Sequence, residues 1–334
     1  MKKILAVVLA ALMLFALAAC AGNNATDGNA DDTTAAPADG VISNITAGTG
    51  GTTGTYYAFT TAVGQILNTD DYKFTVVSTG GSQANIEMIQ DGDAQFAIVQ
   101  NDVMNYAYKG TNGFDAPITD FSVIGCVYSE VCQLVATKAS GIKTIADLKG
   151  KNVAVGDAGS GVYYNAEQIL AAAGLDIDTD IKKTAASFGD SATALKDGSI
   201  DAAFITAGTP TTAITELATS TDVVLVDLGE DVIAKLIKDH PFYAKYEASS
   251  ADYDFITEPV NTVAIKATFI ATNEMSEAQA YEITKNLWEK QPEIATAHAK
   301  GNEMDVKNAV AAAGDVPLHP GAEKYYKEVG VIAE

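Results

Sequence analysis

The chain has 334 residues, 21 basic and 43 acidic, with a formal net charge of −22 at pH 7 and 48% hydrophobic residues. That length suffices for two α/β domains with cores of their own. So acidic a chain meets a like-charge field at DNA, RNA or anionic lipid before any contact forms, which excludes nucleic acid as a partner. Every basic residue is a lysine and there is no arginine, so any anion must be held without a guanidinium fork.

The first residues read as a targeting segment. Lys2 and Lys3 precede an apolar run over 4–17 that is too short to span a bilayer, and Leu17-Ala18-Ala19-Cys20 follows at once. This ending resembles a bacterial lipobox, with residues 1–20 as a lipoprotein signal peptide and Cys20 as the lipidated residue. The membrane would then be reached by the anchor only. Residues 21–40 are small, polar and acidic, and they cannot bury enough apolar area to offset their ordering entropy, so a flexible tether is expected there. No later apolar run reaches spanning length, so the rest is expected to be extracytoplasmic.

Taken in chain order, the body predicts strands at 74–78, 94–99, 133–137, 152–156, 202–206, 223–227 and 262–271. Helices are predicted at 56–67, 84–91, 144–148, 162–173, 191–196 and 276–290. Their alternation indicates an α/β fold with largely parallel strands. Cys126 and Cys132 would stand about 20 Å apart on one continuous strand, so a bridge between them needs a turn at Ser129-Glu130. An exported compartment permits that bridge, and two buried free thiols are the preferred expectation. No histidine lies near them, which argues against a zinc site. Nothing in the pattern asks for a cofactor.

A repeat organises the body. GTGGTTGTYY (48–57) and GDAGSGVYY (156–164) are each a glycine- and hydroxyl-rich loop running into a Tyr-Tyr helix. MIQDGDAQFAIV (88–99) then matches ALKDGSIDAAFI (194–205), with Asp91 34 residues after Tyr57 and Asp197 33 after Tyr164. Shared order and spacing point to two lobes of similar construction. A third loop, STGGSQANIEMI (78–89), sits at another strand end, with Ser82 placed as a helix cap, a ligand contact, or both. Loops at strand ends suggest a cleft whose amides, hydroxyls and helix ends receive oxygen anions. Neither repeat loop has the Gly-Lys-Ser/Thr ending of a phosphate loop or a dinucleotide spacing.

Five segments carry a family resemblance over about 44–330: GTGGTTGTYY, TGGSQANIEMIQDGDAQFAIVQND, SGIKTIADLKGKNVAVGDAGSGV, ALKDGSIDAAFITAGTP and PLHPGAEKYYKEVG. Together they resemble the TAXI-type solute receptors of tripartite ATP-independent periplasmic (TRAP) transporters. The resemblance implies a two-lobed type II periplasmic-binding-protein fold with a hinged interlobe cleft. Lobe 1 would be 41–135 plus 262–334, and lobe 2 would be 136–261. It also implies a small carboxylate or amino-acid ligand, such as glutamate or 2-oxoglutarate, and a TRAP membrane permease as partner. A monomer anchored outside the cytoplasm is expected.

Carried over position by position, Gly51, Thr52, Thr55 and Tyr56 form a first cradle, joined by Thr79, Gly80 and Ser82. Ser160, Gly161 and Tyr163 form the opposing one. Gln100, Asp102, Thr206, Gly208 and Thr209 would fix orientation, with Tyr128 near the crossover. Relatives usually carry a Thr where this chain has Val162. Arginine-mediated carboxylate binding, typical of other TRAP receptor branches, is impossible here. Asp102 beside an anion is awkward, and suits a ligand with an amino group. Two rivals remain. One is the receptor of an ATP-driven (ABC) importer, which shares the fold. The other is an extracytoplasmic hydrolase, for which no G-x-S-x-G elbow exists and no base can be paired among His240, His298 and His319.

Overall fold

The computed structural model describes residues 40–333. The signal segment with Cys20, and the tether up to residue 39, lie outside the described residues. The body opens with β1 (Asn44–Gly48), α1 (Thr55–Leu67), β2 (Lys73–Val77), α2 (Ser82–Gln90) and β3 (Phe96–Gln100), followed by α3 (Asn101–Lys109) and a long β4 (Phe121–Thr137). A second run holds β5 (Asn152–Ala154), α4 (Gly161–Ala172), β6 (Lys182–Thr184), α5 (Phe188–Asp197), β7 (Ala202–Ala207) and α6 (Thr212–Ala218). The chain ends through β8 (Val223–Leu225), α7 (Glu230–Asp239), β9 (Ala244–Ala248), a second long strand β10 (Val260–Thr272), α8 (Glu277–Glu289), α9 (Gln291–Ala297) and α10 (Pro320–Glu328).

The sequence repeat is a topological one. In the first unit β1 lies between β2 and β3 and pairs with both in parallel. In the second, β5 lies between β6 and β7 and does the same. Both helices that precede the closing strand end on a left-handed glycine, Gly92 at φ 79° and Gly198 at φ 72°, which is why Asp-Gly recurs at equivalent places.

The expectation of largely parallel strands holds only inside these units. β10 runs antiparallel to β3 and β4, and β4 antiparallel to β7 and β8. A chain that crosses from one unit to the other and returns must do so in opposite directions, which makes the two crossing strands antiparallel. The crossing strands are buried almost throughout, and a continuous apolar run carries no sign of its direction.

Helices cover both faces of each unit. Strand alternation sends Phe96 and Ile98 of β3 to the core under α1, α8 and α10, and Ala97 and Val99 to the core under α2 and α3. In β7, Ala202 and Phe204 face α4 and α7, while Ala203 and Ile205 face α5 and α6. On α1 the buried residues Tyr56, Phe59, Val63 and Leu67 recur at helical spacing, and fully burying one such side chain contributes roughly 1.5–3 kcal/mol.

Strand β4 is unbroken through Ser129-Glu130, so the turn a bridge would need is absent and Cys126 and Cys132 are both free and buried. Burial pushes both thiols upward from their usual range. Neither is expected to react with a thiol reagent until the protein is denatured. Peptide mapping of label incorporated under native conditions checks this, and labelling at native pH would contradict the packing.

Candidate ligand-binding site

The carboxyl ends of β1, β2 and β3 and those of β5, β6 and β7 open onto one cleft of about 50 Å³. That exceeds the roughly 10–15 Å³ a cavity needs to hold a water, so the cleft admits solvent. The 78–89 glycine loop of the first unit and the 156–164 glycine loop of the second meet across it. The Gly159 carbonyl accepts from the Gln83 and Ala84 amides at 3.0 and 3.1 Å, the Thr55 hydroxyl donates to the Gly208 carbonyl at 3.0 Å, and the Tyr164 hydroxyl donates to Gln83 Oε1 at 2.7 Å.

Helices α1 and α4 begin at this cleft behind Gly54 and Ser160, neither of which makes a side-chain cap bond. Their first-turn amides therefore have no capping side chain, and they carry the positive end of the helix dipole. The Ser160 hydroxyl and Gln100 Oε1, both on buried residues lining the cleft, lack any hydrogen-bond partner among the described residues. Gly161 is glycine because a Cβ there would lie 1.9 Å from Gln100 Oε1.

Of the residues expected from sequence, Gly51, Thr55, Tyr56, Gly80, Ser82, Gln100, Ser160, Gly161 and Thr206 line the cleft. The cap at α2 is Gly81 rather than Ser82; the Ser82 Oγ instead accepts from the Gln100 amide at 3.0 Å, tying α2 to the end of β3. The remaining expected residues stand elsewhere. Thr52 is exposed. Thr79 builds its own loop through Asn85 Oδ1 at 2.6 Å and the Gly81 amide at 3.1 Å. Tyr128 packs edge-on to Phe59 with centroids 4.9 Å apart. Tyr163 lies half-buried beside Lys183, Thr209 donates to Asp252 at 2.5 Å, and Gly208 abuts the Lys300 stem.

Asp102 lies behind the cleft in a buried network between α3 and α4. Its Oδ2 accepts from Asn165 Nδ2 at 3.0 Å, and that same amide donates to the Tyr243 hydroxyl at 2.8 Å. Tyr243 donates to Gln168 Oε1 at 2.8 Å, and Gln168 Nε2 donates to the Tyr106 hydroxyl at 3.0 Å. Burial outweighs these bonds and the Val103 amide, so the Asp102 carboxyl is pushed up to about 7.

Sequence reasoning missed Glu130, which lines the cleft from β4. It pairs with Ile265 of β10, at the point where the crossing strands leave one unit for the other. Its Oε2 accepts from the Tyr56 hydroxyl at 2.6 Å. Burial, reinforced by the Asp102 charge, raises its carboxyl to about 8 against the opposing influence of Tyr56 and Lys300. An acid inside the apolar run VIGCVYSEVCQLVA was the available signal. Phe188 and Ser187 were missed too; they occupy in the second unit the place that the Gly80-Gly81 loop holds in the first.

Among the described residues no lysine and no histidine lines the cleft, whereas Glu130 and Asp157 do. Among the described residues no cluster of His, Cys, Asp and Glu could hold a metal ion, and no helix is long and apolar enough to cross a membrane.

Two β-α-β-α-β units joined by antiparallel crossing strands around such a cleft make the type II periplasmic-binding-protein fold. The alkanesulfonate-binding protein SsuA from Xanthomonas axonopodis pv. citri, bound to MOPS, is similar at 16% identity and a TM-score of 0.50, over 85% of this chain and 83% of that one. A protein from Bordetella bronchiseptica RB50 matches at 18% identity and 0.51, over 87% and 90%. A periplasmic transporter structure matches at 15% and 0.51, over 86% and 93%. The chain belongs to the NMT1-like family, whose sequence pattern matches residues 47–330.

Proposed function

We propose that this protein is an extracytoplasmic solute-binding receptor of a TRAP transporter of the TAXI type, which captures a small carboxylate and delivers it to a membrane permease. The observation that carries the reading is the meeting of two glycine loops from two equivalent units over one cleft, with two helix starts lacking side-chain caps and an unpartnered Ser160 hydroxyl. Such a site supplies donors without reorganisation, which suits a carboxylate in a chain with no arginine. The five sequence segments support the TAXI subtype, and the NMT1-like membership and shared fold support the receptor class.

Residues 41–135 with 262–334 act as one lobe and 136–261 as the other, with β4 and β10 as the flexing connections. Ligand binds one lobe, the second adds its donors, and the closed form docks on the permease. The receptor works as a monomer tethered through Cys20. Scattering profiles with and without saturating ligand test the closure, and identical profiles count against it.

A thermal-shift screen of small carboxylates, amino acids and alkanesulfonates tests the receptor reading itself, because a cleft ligand stabilises the folded state. Ser160→Ala is expected to weaken binding by about 1–2 kcal/mol, the scale of a hydrogen bond to a charged partner. Unchanged affinity in titration calorimetry would remove Ser160 from the site.

A further inference from the structure

We infer that the contact between α3 and α4 is a proton-dependent latch, which holds the two lobes together without ligand as long as the Asp102 carboxyl keeps its proton. This rests on the receptor reading and its division into lobes, and it adds a control that lies outside the cleft.

Three hydrogen bonds on this side of the molecule run from residues of 41–135 to residues of 136–261. Asn165 Nδ2 donates to Asp102 Oδ2 at 3.0 Å, Gln168 Nε2 to the Tyr106 hydroxyl at 3.0 Å, and the Tyr164 hydroxyl to Gln83 Oε1 at 2.7 Å. Rings cross with them. Tyr106 meets Tyr164 and Phe242 edge-on, each at a centroid separation of 6.0 Å, and Phe114 stacks on Tyr164 at 6.4 Å. Among the described residues none of these lines the cleft, so the contact forms without help from a ligand. Asp102, Asn165, Gln168, Tyr106 and Tyr164 are all buried, and a connected buried network of this kind fixes one placement of its two halves.

Asp102 is where this contact is sensitive. Its Oδ1 accepts from the Val103 amide at 2.9 Å and its Oδ2 from Asn165, and both donors are neutral. The titratable groups that face it are Tyr106 on α3, Tyr164 on α4, Tyr243 ahead of β9, and Cys132 and Glu130 on β4. None of them is a cation, and one is a second acid. An ionised carboxylate is therefore costly at this place, and burial holds its proton up to about pH 7. Parting the lobes separates α3 from α4 and returns Asp102 to water, where a carboxyl ionises near 4. The closed arrangement thus binds the proton more tightly than the open one, so closure is favoured as pH falls and is lost as pH rises through about 7.

Amide hydrogen exchange of the ligand-free protein between pH 5.5 and 8.5 tests the latch. The Gln83 and Ala84 amides bond the Gly159 carbonyl across the lobes, so they exchange when the lobes part, whereas amides of the fully buried β3 report global unfolding. Corrected for the intrinsic rate, the opening equilibrium at Gln83 and Ala84 is expected to rise about 30-fold over this interval, and to exceed that of β3 throughout. Asp102→Asn, which has no proton to lose, should abolish this dependence. Glu130→Gln should keep it, and decides the matter if Asp102→Asn does not fold. Opening that ignores pH, a dependence that survives in Asp102→Asn or vanishes in Glu130→Gln, or exchange at Gln83 and Ala84 that matches β3 would overturn the latch. Each of those results leaves the receptor reading standing. A ligand screen without a binder overturns that reading and leaves the exchange result as it is.

Discussion

Gly80→Ala is expected to cost about 100-fold in ligand affinity, roughly 3 kcal/mol at the upper end of overpacking penalties, while the ligand-free protein stays folded. A Cβ at Gly80 would stand 2.3 Å from the Ala158 carbonyl oxygen, which belongs to the glycine loop of the other unit. That neighbour is backbone, fixed by the turn in which the Ser160 amide bonds the Asp157 carbonyl at 3.1 Å, so it cannot swing aside as a side chain would. Gly80 has no left-handed φ, and an alanine there is unstrained in its own loop. The methyl therefore acts only where the two loops meet. It should also weaken the bonds from the Gln83 and Ala84 amides to Gly159 and leave the parallel pairing inside each unit untouched. Calorimetry of the variant with the best ligand of the screen measures the loss, and its melting temperature without ligand checks the fold. Wild-type affinity in this variant would show that binding does not need the loops in contact.

Much of this architecture was readable because burial and backbone conformation constrain residue type. The repeat survived as glycines that need left-handed φ, as at Gly92 and Gly198, and as branched strands between amphipathic helices. The glycine loops were legible as well, since a loop that approaches a second loop excludes side chains, as Gly80 and Gly161 do. Side-chain direction beyond a strand end was not. Thr79, Asp102 and Thr209 look from sequence like cleft donors or acceptors, yet each is turned to a partner far along the chain or inside its own loop, such as Asn165 for Asp102 and Asp252 for Thr209. The first part of β4 escaped notice, and with it Glu130, because its significance comes from where two crossing strands exchange units. Position along the chain does not reveal that. The repeat could have revealed Phe188, had the β2–α2 loop been matched to its equivalent in the second unit.

The ligand-free protein is expected to gain stability as pH falls from about 8.5 to about 6.5, by about 2 kcal/mol from Glu130 and about 1 kcal/mol from Asp102. Burial raises both carboxyls, to about 8 and about 7. The folded state thus holds protons that the unfolded chain has already released. Stability is then fullest below the ordinary carboxylate range and is lost as pH rises toward the folded values. Below about pH 6.5 the three histidines work the other way, because burial lowers each of them and the unfolded chain takes up their protons first. The exposed Asp147 and Asp176 and the half-buried Asp180 are shifted downward and act only at still lower pH. A melting temperature that climbs by roughly 5 °C across the interval is the expected reading for a chain of this size. Glu130→Gln carries no charge to desolvate, so its advantage over wild type should grow by about 2 kcal/mol between pH 6.5 and 8.5. A wild-type melting temperature that is flat or rises with pH would mean that Glu130 and Asp102 are ionised without penalty. A variant that gains stability while it loses ligand would show that the acid is kept at a cost to the fold, as expected of a residue retained for binding.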